Sequence, residues 1–276
     1  MQIIDTHQHF WHYTPEEYDW IDDKMEVLKE DYLPNHLKSI YEANQIEGCV
    51  SVQASSTETE TRRLLSFADH HSFIKGVVGW IDLCAENIDE LLEHYSQYPK
   101  LKGFRHVLQS EPNEFMEGED FLRGLSKLSK RNLTYDVLIY PKHLFSAYHL
   151  AKKFPDQQFV IDHCAKPPIR QKDLDTWKDM MSNFQPLPNV FCKVSGMVTE
   201  ADWHEWRYKD FIPVMDTVTE VFGPDRIMYG SDWPVCLLAG SYKNVLDILL
   251  TYTSDWSEDE KHKVLYKNAI TFYHLD

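Results

Sequence analysis

The stretch Phe159-Val160-Ile161-Asp162-His163-Cys164-Ala165-Lys166-Pro167 decides the fold. Three apolar residues of strand character run without a break into aspartate, histidine and lysine. A short, nearly all-apolar strand belongs in a sheet covered on both faces. A polar cluster at its carboxyl end is where a barrel keeps its chemistry. Downstream, Leu174, Trp177, Met181 and Phe184 recur at helical spacing. Strand, polar turn and helix together make one β/α unit.

The same unit repeats in both directions. Apolar runs of strand length occur at Ile3-Ile4, Gly48 to Val52, Ile74 to Ile81, Gly103 to Val107, Thr134 to Ile139, Val190 to Val194 and Ile227 to Gly230. Helical stripes fall between them: Ile88, Leu91, Leu92 and Tyr95; Phe121, Leu122, Leu125 and Leu128; Ile212, Met215, Val218 and Phe222; Val245, Ile248, Leu249 and Tyr252. Eight strand–helix alternations in 276 residues are what an α/β chain needs to close a (β/α)8 TIM barrel. A doubly wound open sheet would usually carry a glycine-rich turn after its first strand, and none is found here. No linker or low-complexity tract divides the chain, so residues 1–276 read as a single domain. The segment Thr6 to Pro34, with Phe10, Trp11, Tyr13, Tyr18 and Trp20, is expected to form a partial lid over the first strand.

Composition excludes several function classes. The chain has 28 Lys and Arg against 44 Asp and Glu, a net charge of −16. That balance opposes binding to nucleic acid or to anionic membranes. No window reaches the roughly 18 apolar residues of a spanning helix, and the first residues show no basic stretch followed by an apolar run. The five cysteines, Cys49, Cys84, Cys164, Cys192 and Cys236, are scattered and form no CxxC pair. They are expected to act as small core residues in a cytoplasmic protein.

The strand ends carry the candidate chemistry. The first strand runs into His7-Gln8-His9, and residues two apart in an extended segment point the same way. Two imidazoles on one face grip one cation or one anionic oxygen. The second strand ends near Gln53, the fourth carries Arg105-His106, the sixth Asp162-His163 and Lys166, and the eighth Asp232-Trp233-Pro234. Asp232 is suited either to capping a helix or to serving as a general base beside histidines. Asp162 is a candidate to orient a neighbour. Asp136, on the fifth strand, is expected to pair with Arg105 or a histidine. Lys166 is expected to bind an anionic group or to reach solvent.

These motifs resemble, in order and over nearly the whole chain, the amidohydrolase-related family, most closely its sugar-lactonase branch of L-fuconolactonase- and L-rhamnonolactonase-like enzymes. The matching stretches are Asp5 to Trp11, Gly103 to Val107, Val160 to Pro167 and Gly230 to Pro234. The resemblance implies an amidohydrolase-type barrel that hydrolyses a cyclic ester of a sugar acid in carbohydrate metabolism. It implies that His7 and His9 are the first-strand pair, His163 the sixth-strand histidine and Asp232 the eighth-strand aspartate, with Arg105 and His106 facing substrate. The fourth strand offers no bridging lysine or glutamate, and the fifth offers Asp136 rather than histidine. At most one divalent ion, with zinc the expected metal, is therefore expected among His7, His9, His163 and Asp232, and a metal-independent enzyme is equally admitted.

Lactone opening needs an activated water, a stabilised oxyanion and a proton for the departing alkoxide. Asp232 is expected to activate the water. His163, Arg105, His7 and His9 are expected to polarise the carbonyl. Gln53, His106 and Lys166 are candidates to bind hydroxyls. Trp11, Trp80 and Trp233 serve either as flat walls for the sugar or as core packing. The expected partner is a small sugar lactone, with a homodimer admitted. The competing readings are a metal-dependent decarboxylase of an aromatic acid on the same fold and a non-catalytic sugar-binding barrel.

Overall fold

A computed structural model describes residues 1–275. Eight strands form one parallel sheet in sequential order: β1 (Ile4–Gln8), β2 (Gly48–Val52), β3 (Ile74–Gly79), β4 (Leu101–Val107), β5 (Thr134–Leu138), β6 (Phe159–Ile161), β7 (Val190–Val194) and β8 (Ile227–Tyr229). Backbone bonds between Asp232 N and His7 O (2.8 Å) and between His9 N and Trp233 O (2.7 Å) stitch the last strand to the first. The chain is thus a (β/α)8 barrel.

The helices are α1 (Pro34–Asn44), α2 (Glu58–His70), α3 (Ile88–Tyr95), α4 (Glu119–Leu125), α5 (Leu144–Lys153), α6 (Asp175–Ser182), α7 (Met197–Glu200), α8 (Ile212–Phe222), α9 (Tyr242–Tyr252), α10 (Glu258–His262) and α11 (Asn268–Phe272). Local sequence explains their starts. Pro34 opens α1 with a fixed φ and no wasted N–H. The Thr57 side chain accepts from Glu60 N at the head of α2, and Ser241 forms a reciprocal capping box with Asn244 at α9. The helical stripe over residues 121–128 is cut short. The helix α4 ends at Leu125, and Leu128 is buried from the turn that follows.

Two apolar cores result. One lies between the strands and the helix ring, with Phe104, Tyr135, Trp177 and Phe211 fully buried in it. The other fills the barrel from its amino-terminal end: Ile4, Val50, Val52, Val78, Val160 and Met228 point inward, and α11 with Phe272 and Tyr273 closes the floor. The interior above that layer is polar. The Thr6 to Pro34 segment is less a lid than a packed wall. Phe10, Trp11 and Tyr18 are fully buried, Trp11 pairs in backbone with Tyr32, and Tyr32 packs edge-on against Trp233 at 5.1 Å. Among the described residues, no helix is long and apolar enough to cross a membrane.

Candidate active site

Strand β1 positions two of the histidines. Its pairing with β2 shifts register between Asp5 and Gln8. The Gln8 amide reaches Cys49 Sγ, while His7 turns toward groups on β4, β6 and β7 and His9 toward Asp232. Behind His7, the Asp5 carboxylate accepts from Ser231 N (2.9 Å), His7 N (3.2 Å) and Tyr41 Oη (3.0 Å). Burial pushes Asp5 up to about 6, with those donors opposing the rise. Gly230 gives His7 its room, since a Cβ there would lie 2.7 Å from the His7 Cβ.

Three imidazoles surround one carboxylate. Asp232 Oδ1 lies 3.4 Å from His9 Nε2, 3.9 Å from His7 Nε2 and 3.9 Å from His163 Nε2. The second nitrogens of all three rings have partners in the protein, Asp162 and Lys193 in the case of His7. His9 Nδ1 lies 2.8 Å from Val52 O, so it must carry the proton and donate. His163 Nδ1 lies 2.9 Å from Ser195 Oγ. Burial holds His7 and His163 well below the ordinary imidazole range, so both are neutral at neutral pH. Asp232 is buried too, but His163, His9 and Lys166 outweigh that cost and hold it below the usual carboxylate value.

His163 is aimed by an unusual backbone. His163, Cys164, Ala165 and Lys166 have φ of 54°, 52°, 58° and 51°, a left-handed turn closed by Lys166 N donating to His163 O at 2.8 Å. L-residues resist this hand by about 1–2 kcal/mol each. Pro167 follows, and the residue before a proline avoids the right-handed helical region. Gly196, itself at φ 60°, fits under the ring: a Cβ there would sit 2.5 Å from His163 Nδ1.

A second cluster lies deeper. Arg105 donates to Asp162 Oδ2 at 3.0 Å and to Gln53 O, and its Nη1 lies 3.2 Å from His7 Nε2. Lys193, fully buried on β7, reaches Asp136 Oδ2 at 2.5 Å, Asp162 Oδ1 at 3.0 Å and His7 Nδ1 at 3.3 Å. Tyr273, just past α11, donates to Asp136 Oδ2 at 2.8 Å. Burial pushes Asp136 up, against its lysine. Burial acts on Asp162 in the same sense, yet Lys193, His7 and Arg105 hold it well below the usual range.

The strand ends therefore bring His7, His9, His163, Asp232 and Arg105 together. The remaining candidates are placed differently. Asp136 pairs with Lys193 and Tyr273, not with Arg105 or a histidine. Gln53 is buried, with Nε2 donating to Arg105 O and Oε1 accepting from Arg105 Nη2, both at 3.2 Å, so its amide is tied to the barrel wall. Lys166 neither reaches solvent freely nor stands unpaired, because Glu200 holds its ammonium at 2.8 Å. His106 accepts from Trp80 Nε1 (3.3 Å) and donates to Glu111 (2.9 Å), stacked on Phe115. Trp11 is buried behind His9, donating to Glu30 O, and Trp233 is buried against Phe10 and Tyr32. Trp80 and His106 remain partly exposed.

Sequence reasoning missed Lys193, Ser195 and Glu200. Lys193 had a signal, a single charge inside the apolar run Val190-Phe191-Cys192-Lys193-Val194, at the same alternation that marks Arg105 and Asp136 as inward-facing. Ser195 and Glu200 lie beyond that strand and carried no such mark.

Two overlapping sets, His7/His9/Asp232 and His7/Asp162/His163, each gather ligand atoms within 4.8 Å of one another. The first set fits a divalent cation. With Nδ1 of His9 donating to Val52 O, its Nε2 is turned toward the Asp232 carboxylate 3.4 Å away, and His7 Nε2 faces the same oxygen at 3.9 Å. A cation would be met there by two imidazole nitrogens and one carboxylate. Imidazole nitrogens with one carboxylate are zinc-type donors, each ring fixed through its second nitrogen.

The amidohydrolase family model matches residues 4–275. An L-fucono-1,5-lactonase of Burkholderia multivorans is 38% identical over 89% of this chain and 86% of its own. An L-fucono-1,5-lactonase of Burkholderia ambifaria is 32% identical over 99% of this chain and 96% of its own. A crystal structure of an amidohydrolase from Burkholderia multivorans with bound zinc superposes with a TM-score of 0.94, at 36% identity and complete coverage of both chains.

Proposed function

This chain belongs to the amidohydrolase family, and on that footing we propose that it hydrolyses the lactone ring of a sugar acid, L-fucono-1,5-lactone being the first substrate to try. One observation carries the reading: a buried carboxylate just past β8 faces three imidazole nitrogens 3.4–3.9 Å away at the carboxyl end of the barrel strands. The lactonase relatives, aligned over most of the chain, support the substrate class.

Asp232, kept ionised by its neighbours, takes a proton from a water as the water oxygen bonds to the lactone carbonyl carbon. The carbonyl electron pair moves to the oxyanion. In this reading Ser195 Oγ is assigned as donor to His163 Nδ1, 2.9 Å away, which gives His163 an Nε2–H to donate to that oxyanion. When the carbonyl reforms, the bond to the ring oxygen breaks. Its electron pair leaves with that oxygen, which recovers the proton from Asp232 as a hydroxyl. Hydroxyl and carboxyl stay on one molecule, so the single product is the open-chain sugar acid, ionised at neutral pH. A divalent ion, when held by His7, His9 and Asp232, with His163 adjoining, would add Lewis-acid polarisation of the carbonyl. Zinc is the candidate by donor type.

Arg105 is engaged on both terminal nitrogens, so its contribution is to hold Asp162 and His7. Partly exposed His106 and Trp80, with Lys166 beside Glu200, line the approach and are assigned to sugar hydroxyls. Five free cysteines suit a reducing, cytoplasmic setting. The test is acid release from a panel of aldonolactones followed with a pH indicator, with and without a strong chelator. Hydrolysis of a six-carbon sugar lactone is expected. A purified, folded protein inert on the whole panel, even when supplied with zinc, rejects the reading.

A further inference from the structure

The deeper charge cluster lies beneath the three histidines, and its chemistry fixes more than stability. His7 is ringed by groups that compete for its two nitrogens. Arg105 Nη1 lies 3.2 Å from Nε2, Lys193 Nζ 3.3 Å from Nδ1, and Asp162 Oδ1 3.3 Å from Nδ1. Arginine and lysine only donate, and a neutral imidazole has one proton and one lone pair. With the proton on Nε2, that N–H would meet the guanidinium, donor against donor, and the Asp232 oxygen lies 3.9 Å away, beyond a hydrogen bond. With the proton on Nδ1, His7 donates to Asp162 and accepts from Arg105. The second arrangement satisfies every group except the lysine, which is already met by Asp136 at 2.5 Å and Asp162 at 3.0 Å.

We propose that Lys193 is a positioning residue: anchored by Asp136, it pins the Asp162 carboxylate as acceptor for His7 Nδ1–H and thereby keeps His7 Nε2 a lone pair turned toward Arg105 and Asp232. Asp162 is approached from three sides: Arg105 bonds Oδ2, while Lys193 and His7 lie 3.0 Å and 3.3 Å from Oδ1, an acceptor with no other donor. The anchor reaches the barrel floor, where Tyr273 donates to Asp136 and the Lys193 ammonium lies 5.5 Å from the Tyr273 ring. A chain of contacts thus links the closing end of the barrel to the orientation of one active-site imidazole. The inference rests on the lactonase reading only for its kinetic arm.

The experiment compares Lys193→Met with the double variant Lys193→Met/Asp136→Asn. The single variant leaves two buried carboxylates with one cation fewer, which endangers the fold. The double variant removes one charge of each sign and restores the balance. Folding is followed by circular dichroism. The His7 ring is read by ¹⁵N spectra of histidine-labelled protein, assigned through the signals that vanish in His7→Asn. Metal affinity is read by zinc competition, and kcat and KM on L-fucono-1,5-lactone. In the wild type the His7 nitrogens are expected to show one tautomer, protonated on Nδ1. In the folded double variant the two nitrogen shifts are expected to move toward each other, zinc affinity to fall about 10–100-fold, and kcat to fall with KM within about threefold. A folded double variant with unmoved His7 signals and unchanged zinc affinity overturns the proposal, as does a wild-type spectrum showing the Nε2–H form. If the wild type opens no lactone, the functional reading fails while the spectra and zinc binding still judge Lys193. Unmoved spectra in an active enzyme sink Lys193 alone.

Discussion

Two charged clusters share the barrel interior, and their spacings differ. Around Arg105, Lys193, Asp136 and Asp162, donor–acceptor contacts are at hydrogen-bond distance, with Lys193 at 2.5 Å and 3.0 Å and Arg105 at 3.0 Å. Around Asp232 the nearest imidazole nitrogens stand at 3.4–3.9 Å, longer than a hydrogen bond. The deep cluster pairs its opposite charges at short range and serves as scaffold, although Arg105 Nε, Asp136 Oδ1 and Asp162 Oδ1 have no hydrogen-bond partner. The upper one is assembled from groups that do not satisfy one another, the condition of a site built to receive something else. Burial is the same in both, so it is spacing that separates framework from function.

The largest effect should come from the loose cluster. Asp232→Asn is expected to lower kcat about 10²–10⁴-fold with little change in melting temperature, because no tight contact is lost. Lactone turnover beside a thermal melt checks it, and a folded variant at wild-type rate would erase the distinction. Arg105→Met should behave in the opposite way. Removing one member of a buried ion cluster is expected to cost about 3–5 kcal/mol of stability, read as a displaced urea midpoint, with activity falling in step with the folded fraction and through the loosened His7. A variant as stable as wild type would show that the deep cluster is not scaffold. Gly196→Ala sharpens the boundary. Its methyl would press on His163 Nδ1, so a loss of about 1–2 kcal/mol is expected from the left-handed φ alone, accompanied by a fall in kcat that the added strain does not by itself explain.

The smallest effect lies outside both clusters. Glu60 is buried beneath the aromatic wall, accepting from Ala54 N and Ser55 N, and burial pushes it up to about 7. Its folded value lies above its unfolded one, near 4.5, so the folded state holds the proton longer. This group therefore lowers stability as pH rises from about 4.5 to 7 and has no further effect above that. Glu60→Gln is expected to flatten that part of the stability–pH profile, measured by urea unfolding at several pH values. An unaltered slope would mean that the carboxyl is ionised throughout.

Much of this was legible in sequence because the relevant signals are local. The runs at Gly48 to Val52 and Val190 to Val194 coincide with strands, and β-rich apolar runs between helical stripes leave few alternatives. His7, His9, His163 and Asp232 were legible because each lies at, or within three residues past, the carboxyl end of a strand. What stayed hidden is partnership across the barrel. Asp136 could be seen to face inward, but whether it meets Arg105, its register partner on the preceding strand, or Lys193, two strands on, depends on stagger and tilt. Lys166 was visible and Glu200 was not, since a loop glutamate looks like any other in so acidic a chain. Trp11 and Trp233 could be read as wall or core, and only packing decides between them.

The reversed turn at residues 163–166 contains no glycine to relax it. The energy stored there is set when the chain folds and is already in place at every encounter with substrate. An imidazole on a compliant loop would have to recover its heading in each catalytic cycle, and the search would appear in the activation entropy. Here the backbone has removed that search beforehand, so turnover should depend weakly on solvent viscosity and steeply on any change that lets those four residues unwind.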